Sequence, residues 1–444
     1  MRLSCAALLT ILASGLASAS AAAEPLTLSS AIEAARRNHP DMRVALSNED
    51  VARAQTGIAL SGYLPSLGFS ALGRGDLSNF RPVVVGTAAS GSATSFPFQG
   101  SFLYSASLNL SQLVFDGGRT LAQLAQARAQ LAQTAQDVVT QGIAVESSVT
   151  AAYFSALEGD AQLSVALEYE TQMKGQLVFA RKLITAGVRP EFEAITAETR
   201  AQRATLDRIR AQGATATRRA TLIAALGIEQ DPGFTLVDTY TRALAEEKLP
   251  LDDLVSRAIS IRAEIRSLEA SSRAAEQQVR SQRSDYFPSM GLGLSGSMTG
   301  SNDNPKPLFD FFATLSLQQQ VFTGLSTYRS TQAARAQLAS VRAKIAGARV
   351  VVRASVASAL AALDVARRSD DQAALLVDQA DKLVKSAQKR YEAGVLTSLE
   401  LFDAQSQRVL ALGQRVTAHY AVALSRADLR RSIGGTIVGD EALK

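Results

Sequence analysis

The chain has no tryptophan, one cysteine and only 6% aromatic residues among its 444 positions. The cysteine, Cys5, lies so close to the N-terminus that the mature chain should hold no disulfide or reactive thiolate. The two histidines, His39 and His419, have no partner at metal-ligand spacing, and no phosphate-binding glycine loop or nucleophile motif occurs. These absences exclude most enzyme classes, and we expect no catalytic residue, no cofactor and no metal.

Net charge and long apolar runs are also scarce. The 46 basic and 41 acidic residues give a net charge of +5, too small and too dispersed to indicate nucleic-acid binding. No later segment offers about 20 continuous apolar residues, so no transmembrane helix is expected. Residues 1–23 combine Arg2, an apolar core and three alanines, which predicts a cleaved signal peptide. An exported chain of this kind is either soluble or inserted in a membrane as strands.

Two parts of the chain repeat the same pattern of residues. Residues 26–68 match 249–291 without a gap at an offset of 223, and from Leu108 and Leu315 onward the offset is 207. The change of offset marks a loop of different length inside the first repeat. A duplication of this size predicts two structurally equivalent halves with the same element order. We place them at 24–227 and 249–434, with a linker at 228–248 and a tail at 435–444.

Four segments alternate apolar and small polar residues with period two, and we predict strands at 65–73, 102–111, 288–298 and 309–318. They predict two strand hairpins, 65–115 and 288–322, whose tips lie at 79–100 and 301–307. Ten-residue segments with one apolar face are typical of membrane barrels, although a soluble sheet alternates in the same way. Four strands are too few to close a barrel, and open edges cannot lie in lipid. The sequence therefore predicts that several copies of the chain build one barrel.

Long helical segments fill most of the remaining sequence. Small and apolar residues step by three and four through proline-free stretches, which is typical of a coiled-coil seam. As one helix, each of the two longest stretches would extend about 100 Å. Glycine turns are expected at Gly187 and Gly394. The predicted helices are 28–62, 119–186, 190–226, 251–286, 325–393 and 397–433.

This order of elements, given twice, resembles the TolC family of outer-membrane efflux proteins. The resemblance covers essentially the whole mature chain. The motifs that carry it are Tyr63-Leu64-Pro65-Ser66 and Tyr286-Phe287-Pro288-Ser289, the pattern Leu-x-Leu-x-Gln-x-Val-Phe-x-Gly at 108–117 and 315–324, Tyr391–Gly394, and Leu399–Gln405. It implies a mainly α fold with a membrane β-hairpin pair: an internally duplicated, long antiparallel α-helical barrel and a 12-stranded β-barrel shared by a homotrimer.

The resemblance also implies a function and partners. It implies an exit duct of a tripartite efflux or type I secretion system, set in lipid of the cell outer membrane with a long periplasmic extension. The implied partners are a periplasmic adaptor (membrane fusion) protein and an inner-membrane pump of the RND, MFS or ABC class.

In the family, acidic residues narrow the periplasmic entrance just after the second glycine turn. The matching positions are Glu400 and Asp403, with Glu193 as the counterpart of Glu400 in the first half. Their spacing puts Glu400 and Asp403 on one helical face. Glu400 could instead form a capping box with Thr397, and Asp403 could simply face solvent.

Some family members close this entrance with a tyrosine and an arginine. Tyr391 matches the tyrosine, but Leu396 stands at the arginine position, and Arg189 of the first half is the candidate substitute. The tips where adaptors dock in the family match Gly187, Val188, Gly394 and Val395. Plain helix reversal is the simpler role for the same four residues.

Two other functions fit parts of the sequence. A soluble periplasmic coiled-coil structural or adhesion protein without a pore would explain the helices, but not the paired hairpins. A free-standing porin would need many more strands in each chain. The outer-membrane duct accounts for both features.

Overall fold

The computed structural model of the protein describes residues 25–78, 99–187, 190–230, 233–238, 245–301 and 306–435. The predicted signal peptide, most of both hairpin tips and residues 436–444 of the tail lie outside the described residues. Within the described ranges the chain is mostly helical.

The long helices come in two pairs of matching length. α3 and α7 have 67 residues each, and α4 and α8 have 36 each. The helices are α1 (Leu28–Asn38), α2 (Pro40–Ser61), α3 (Arg119–Thr185), α4 (Glu191–Leu226), α5 (Leu251–Ile261), α6 (Ala263–Arg283), α7 (Ser326–Glu392) and α8 (Ser398–Ile433). The strands are β1 (Pro25–Leu26), β2 (Ser66–Ser78), β3 (Gln99–Phe115), β4 (Thr235–Leu236), β5 (Ser289–Ser301) and β6 (Leu308–Gln318).

The prediction of one continuous helix before each hairpin, at 28–62 and 251–286, was wrong, because each of these segments is broken into two helices. His39 separates α1 from α2 with ψ 128°, since a residue before proline avoids the helical region. Arg262 separates α5 from α6 with ψ 125°, although no proline follows it. Its guanidinium instead donates to Ser355 Oγ at 3.0 Å and pairs with Glu264 at 2.7 Å. The two breaks stand 223 residues apart, at the offset of the sequence repeat.

One compact unit comprises the described parts of Arg43–Gln141 and Asp252–Val356 and contains an antiparallel sheet. Its strand order is β2-β3-β5-β6, so the two hairpins, remote in sequence, join through the β3–β5 pairing. The strands extend past their predicted ends: β2 continues to Ser78 and β3 begins at Gln99. β2 and β6 are the end strands of this sheet.

The two faces of the sheet differ as the alternation predicts. On one face, small polar side chains bond across strands: Ser66 to Ser111 at 2.6 Å, and Ser295 to Asn109 at 2.6 Å. On the other face, Phe69 lies opposite Leu108 in the register of β2 and β3. This face is uncovered within the chain, because Phe69 is 73% exposed and Phe311 is 84% exposed.

The second compact unit comprises the described parts of Met1–Met42, Gly142–Leu251 and Ala357–Lys444. Its largest core packs α1 against α3 and α4 through small and apolar side chains, among them Ile32, Val149, Ala156 and Leu222. The small residues allow the helix axes to approach closely, as the alanine-rich seam predicts.

The linker predicted at 228–248 contains short elements that the sequence did not reveal. β4 pairs in parallel with β1, and Ala245–Lys248 form a 3₁₀ helix. Tyr153 of α3 holds both strands, since its hydroxyl contacts the carbonyl oxygens of Leu26 at 2.8 Å and Val237 at 2.6 Å. The described parts of this segment are therefore anchored to the helices.

One described helix, α7, is long and apolar enough to cross a membrane by length and composition. The sequence predicted no such helix, because charged residues interrupt every continuous apolar run. Only 11% of the most apolar 18-residue stretch of α7, its apolar window, is buried inside the chain. This stretch is therefore a largely uncovered apolar surface, on a helix far longer than the ~20 residues that a membrane crossing needs.

Candidate functional site at the ends of the long helices

Both long helices end at a glycine in the left-handed conformation. Gly187 and Gly394 each have φ +73°, which a side-chain-bearing residue adopts only with strain. After α7, the amide of Gly394 donates to Tyr391 O at 3.0 Å and that of Val395 to Arg390 O at 2.9 Å. This is the Schellman arrangement, which closes a helix and reverses the chain.

The predicted docking tips are described only in part. Val188 and Arg189 lie outside the described residues. Val395 is 78% exposed, and the first turns of α4 and α8 expose Phe192 (73%) and Leu399 (65%). Sequence reasoning named the glycine turns but missed these two apolar side chains, which occupy equivalent positions in the two halves.

Glu400 forms the capping box that the sequence allowed as an alternative role. Its carboxylate accepts from the Thr397 amide at 3.0 Å and from Thr397 Oγ1 at 2.7 Å. The hydrogen bond from the Thr397 backbone is the main reason that the pKa of Glu400 lies below its ordinary value. The carboxylate is therefore held at the start of α8, charged and exposed.

Asp403 lies one turn further along α8, on a cleft of about 570 Å³ between α3, α4 and α8. It accepts from Gln407 Nε2 at 2.8 Å. Arg200 of α4 lines the same cleft and stacks on Phe402, with 3.8 Å between its Cζ and the ring centroid. Burial lowers the pKa of Arg200, while the charges of Tyr169 and Asp403 oppose that shift.

Sequence reasoning missed Arg200 as a neighbour of the acidic position. The only available signal was its place on α4, seven residues after Glu193 and so on the same helical face. A guanidinium beside Asp403 weakens the negative field of that carboxylate, which matters for any role at an entrance.

Tyr391 and Glu193 meet at a second cavity, of about 400 Å³, between α3, α4, α7 and α8. Tyr391 and Leu396 each pack against a small apolar cluster that includes Leu401. At the position where the resemblance led us to expect an arginine, Leu396 therefore takes part in apolar packing. The structure brings Tyr391 and Glu193 to one cavity and places Asp403 on the other.

Further along α8, Arg408 links three helices through hydrogen bonds to carboxylates. Its Nε donates to Asp381 of α7 at 2.5 Å and its Nη1 donates to Glu168 of α3 at 3.1 Å. The bond to Asp381 is the main reason that the pKa of Arg408 is raised. No pattern in the sequence pointed to this network, because its members are far apart along the chain.

No described part of the chain brings together three or more His, Cys, Asp or Glu side chains able to hold a metal ion. The acidic positions near the turns lie on two helices, Glu193 on α4 and Glu400 and Asp403 on α8. These carboxylates can act as fixed negative charges on the helix surfaces.

The sequence and the fold match those of known proteins over nearly their full length. The sequence profile of the outer membrane efflux protein family matches residues 31–228 and 254–435. The chain is 28% identical to Protein CyaE of Bordetella pertussis over 430 residues, which is 94% of this chain and 86% of CyaE.

Solved structures share the fold at lower sequence identity. A membrane protein from Pseudomonas aeruginosa aligns with a TM-score of 0.75 at 22% identity, covering 93% of this chain and 91% of that one. The open state of the Neisseria gonorrhoeae MtrE outer membrane channel aligns with a TM-score of 0.73 at 20% identity, covering 92% and 89%. The protein is thus an exit duct in the outer membrane with a long helical periplasmic part, and the chain belongs to the outer membrane efflux protein family.

Proposed function

We propose that three copies of the chain form the duct, with twelve strands closing one barrel in the outer membrane. The observation that carries this proposal is the four-stranded sheet, whose apolar face is exposed and whose end strands are β2 and β6. A soluble chain seldom exposes so large an apolar patch, and lipid cannot accommodate an open sheet edge. Pairing β6 of one copy with β2 of the next removes both edges.

The periplasmic part of the trimer is a helical barrel in which neighbouring copies cover α7. Supporting this, Val350 is 70% exposed and Val351 is 66% exposed within the chain. The sparsely buried apolar window of α7 then belongs to a subunit interface. Such a helix does not cross the bilayer.

Each chain is built from two equivalent halves, 24–227 and 249–434, with 228–248 and 435–444 as equatorial segments. The equal helix lengths support this division. A duct of this kind needs no catalytic centre, cofactor or metal of its own, and an inner-membrane pump supplies the energy for transport.

The ends of the long helices bind a periplasmic adaptor, which joins the duct to an inner-membrane RND, MFS or ABC pump. Gly187, Val188, Gly394 and Val395 form the docking tips. Exposed Phe192 and Leu399 support this role, because apolar side chains beside a tight turn suit a helical partner.

Three copies of Glu193, Glu400 and Asp403 give the periplasmic entrance a negative field, with Tyr391 and Arg189 beside it. The lowered pKa of Glu400 supports a charge that persists in mildly acidic surroundings. Rings of carboxylates in a narrow passage favour cations.

Cysteine cross-linking tests the trimer directly, because Cys5 is the only cysteine in the sequence. Cysteines placed in pairs along β2 and β6, starting with Ser70→Cys and Ser316→Cys, should give a ladder that stops at three copies. Ser107→Cys with Ser297→Cys is the matched control, since these residues face each other between β3 and β5 of one chain. A soluble monomer, or a panel of edge pairs that yields no trimer, would contradict the duct assembly.

A further inference from the structure

The cavity shared by Tyr391 and Glu193 holds two unsatisfied acceptors. We call it the tip cavity and define it by Gln176 and Phe179 of α3, Glu193 of α4, Tyr391 of α7 and Gln405 of α8. The Oε1 atoms of Gln176 and Gln405 are buried and have no hydrogen-bond partner in the described part of the chain. Buried carbonyl oxygens normally accept a hydrogen bond, so a donor is expected in this space.

Gln405 is the stronger indicator of the two, because its side chain is only 2% exposed. A leucine or methionine at this position would fill the same volume without a polar atom. A buried side-chain oxygen without a partner destabilises the packing of α8, whereas an apolar replacement of similar shape is neutral or stabilising. The unsatisfied oxygen of Gln405 therefore marks the place in the cavity where a donor would bind.

The charge and shape of the tip cavity specify the donor. Among the residues that the structure describes, the lining side chains include the carboxylates of Glu193 and Glu392 and contain no lysine, arginine or histidine. Phe179 and Phe402 add aromatic surface, and the volume of about 400 Å³ is in the range of small-molecule sites. Acceptors, negative charge and aromatic rings together favour a cation that carries N–H donors and an apolar body.

We propose that the tip cavity binds a small arylalkyl ammonium ion, whose N–H groups donate to Gln405 and Gln176 while its ring packs against the phenylalanines. The ligand would contact several helices near the turns. Its binding would stabilise the helix packing seen in this structure.

The probe is benzylammonium, added to the full-length mature protein in detergent and followed by calorimetry and thermal unfolding. We expect saturable binding of one ion per chain and a higher unfolding midpoint. Benzyltrimethylammonium has the same charge and ring but no N–H donor, and it should bind at least about tenfold more weakly. Equal binding of the two ions, or no binding of benzylammonium, would overturn the proposal.

Variants of one residue complete the test. Gln405→Leu removes the acceptor and should weaken benzylammonium binding about ten- to a hundredfold, while raising or preserving the unfolding midpoint without ligand. Gln405→Glu keeps an acceptor oxygen and should retain binding. Gln372→Leu makes the leucine change on an exposed part of α7 and should have no effect. Unchanged binding by Gln405→Leu would show that this amide does not hold the ion.

The outcome is independent of the proposed assembly and entrance. Binding is measured at a cavity inside one chain, whereas trimer formation and conductance are measured without the probe. If Gln405→Leu fails to assemble, the comparison of the two ions on the unaltered protein and on Gln405→Glu still decides.

Discussion

Removal of one hydroxyl, in Tyr153→Phe, should loosen the paired strands β1 and β4 without disturbing the core of the helices. The Tyr153 ring is 1% exposed, and phenylalanine keeps its shape. Its hydroxyl lies 2.6 Å from Val237 O and 2.8 Å from Leu26 O, and it accepts from the Val237 amide at 3.3 Å. Burial raises the pKa of Tyr153, so the hydroxyl remains a donor at neutral pH.

The magnitude follows from the groups that lose a partner. The Val237 amide keeps a second acceptor, since it also donates to Leu26 O at 3.2 Å. Val237 O loses the tyrosine donor, which costs about 1–2 kcal/mol for a partly buried carbonyl. A loss of that size in local opening free energy makes amide exchange roughly five to thirty times faster.

Hydrogen–deuterium exchange, read by mass spectrometry on peptides covering 25–27 and 233–238, measures this change. Tyr169→Phe is the matched control, because Tyr169 is also on α3 and its hydroxyl makes no hydrogen bond within the described residues. We expect the control to leave exchange in these peptides unchanged. Less than about a threefold acceleration in Tyr153→Phe would refute the anchoring role of the hydroxyl.

Four further predictions concern the entrance carboxylates, the turn at Gly394 and the Arg408 network. Glu400→Gln with Asp403→Asn should lower cation preference in bilayer reversal-potential measurements, and an unchanged preference would remove both residues from the entrance. Because the folded pKa of Glu400 is lowered, its capping contribution is present above its unfolded pKa and is lost as pH falls through the folded pKa. In Glu193→Gln with Asp403→Asn, which leaves Glu400 as the remaining carboxylate of the three, the remaining cation preference should therefore persist at pH 4.5 and disappear only below it. Loss at higher pH would contradict this assignment. Gly394→Ala should destabilise its turn by about 1 kcal/mol and speed protease cleavage there, whereas Gly413→Ala, inside α8 with open space around it, should not; equal cleavage of the two would contradict the turn geometry. Arg408→Gln should increase exchange in α7 and α8 by severalfold, consistent with about 1 kcal/mol for a partly exposed ion network, and unchanged exchange would show that the network is dispensable.

The local features of the fold were readable from the sequence. The turns at Gly187 and Gly394 could be predicted because a left-handed residue is nearly always glycine, and both have φ +73°. The strands could be predicted from their alternation, although β2 and β3 extend further than the pattern indicated. The break at His39 was missed even though Pro40 signalled it, and the break at Arg262 had no such signal.

The candidate site was readable only where one short segment contains both partners. Thr397 and Glu400 are three residues apart, so their capping box was visible as an alternative. Arg200 beside Asp403 was not visible, because α4 and α8 meet only in the folded chain. The same holds for Arg408, whose carboxylate partners come from α3 and α7.

The sequence by itself determined the order of elements, the helix seams and the glycine turns, since each depends on residues within a few positions of one another. Only the tertiary structure decided that both hairpins share one sheet, that Tyr153 anchors β1 and β4, and that Gln405 Oε1 is buried without a hydrogen-bond partner in the described part of the chain. The physical reason is the distance along the chain between the residues that interact. Backbone conformation is set by neighbours in the chain, whereas strand pairing and the satisfaction of buried polar groups depend on residues that only folding brings together.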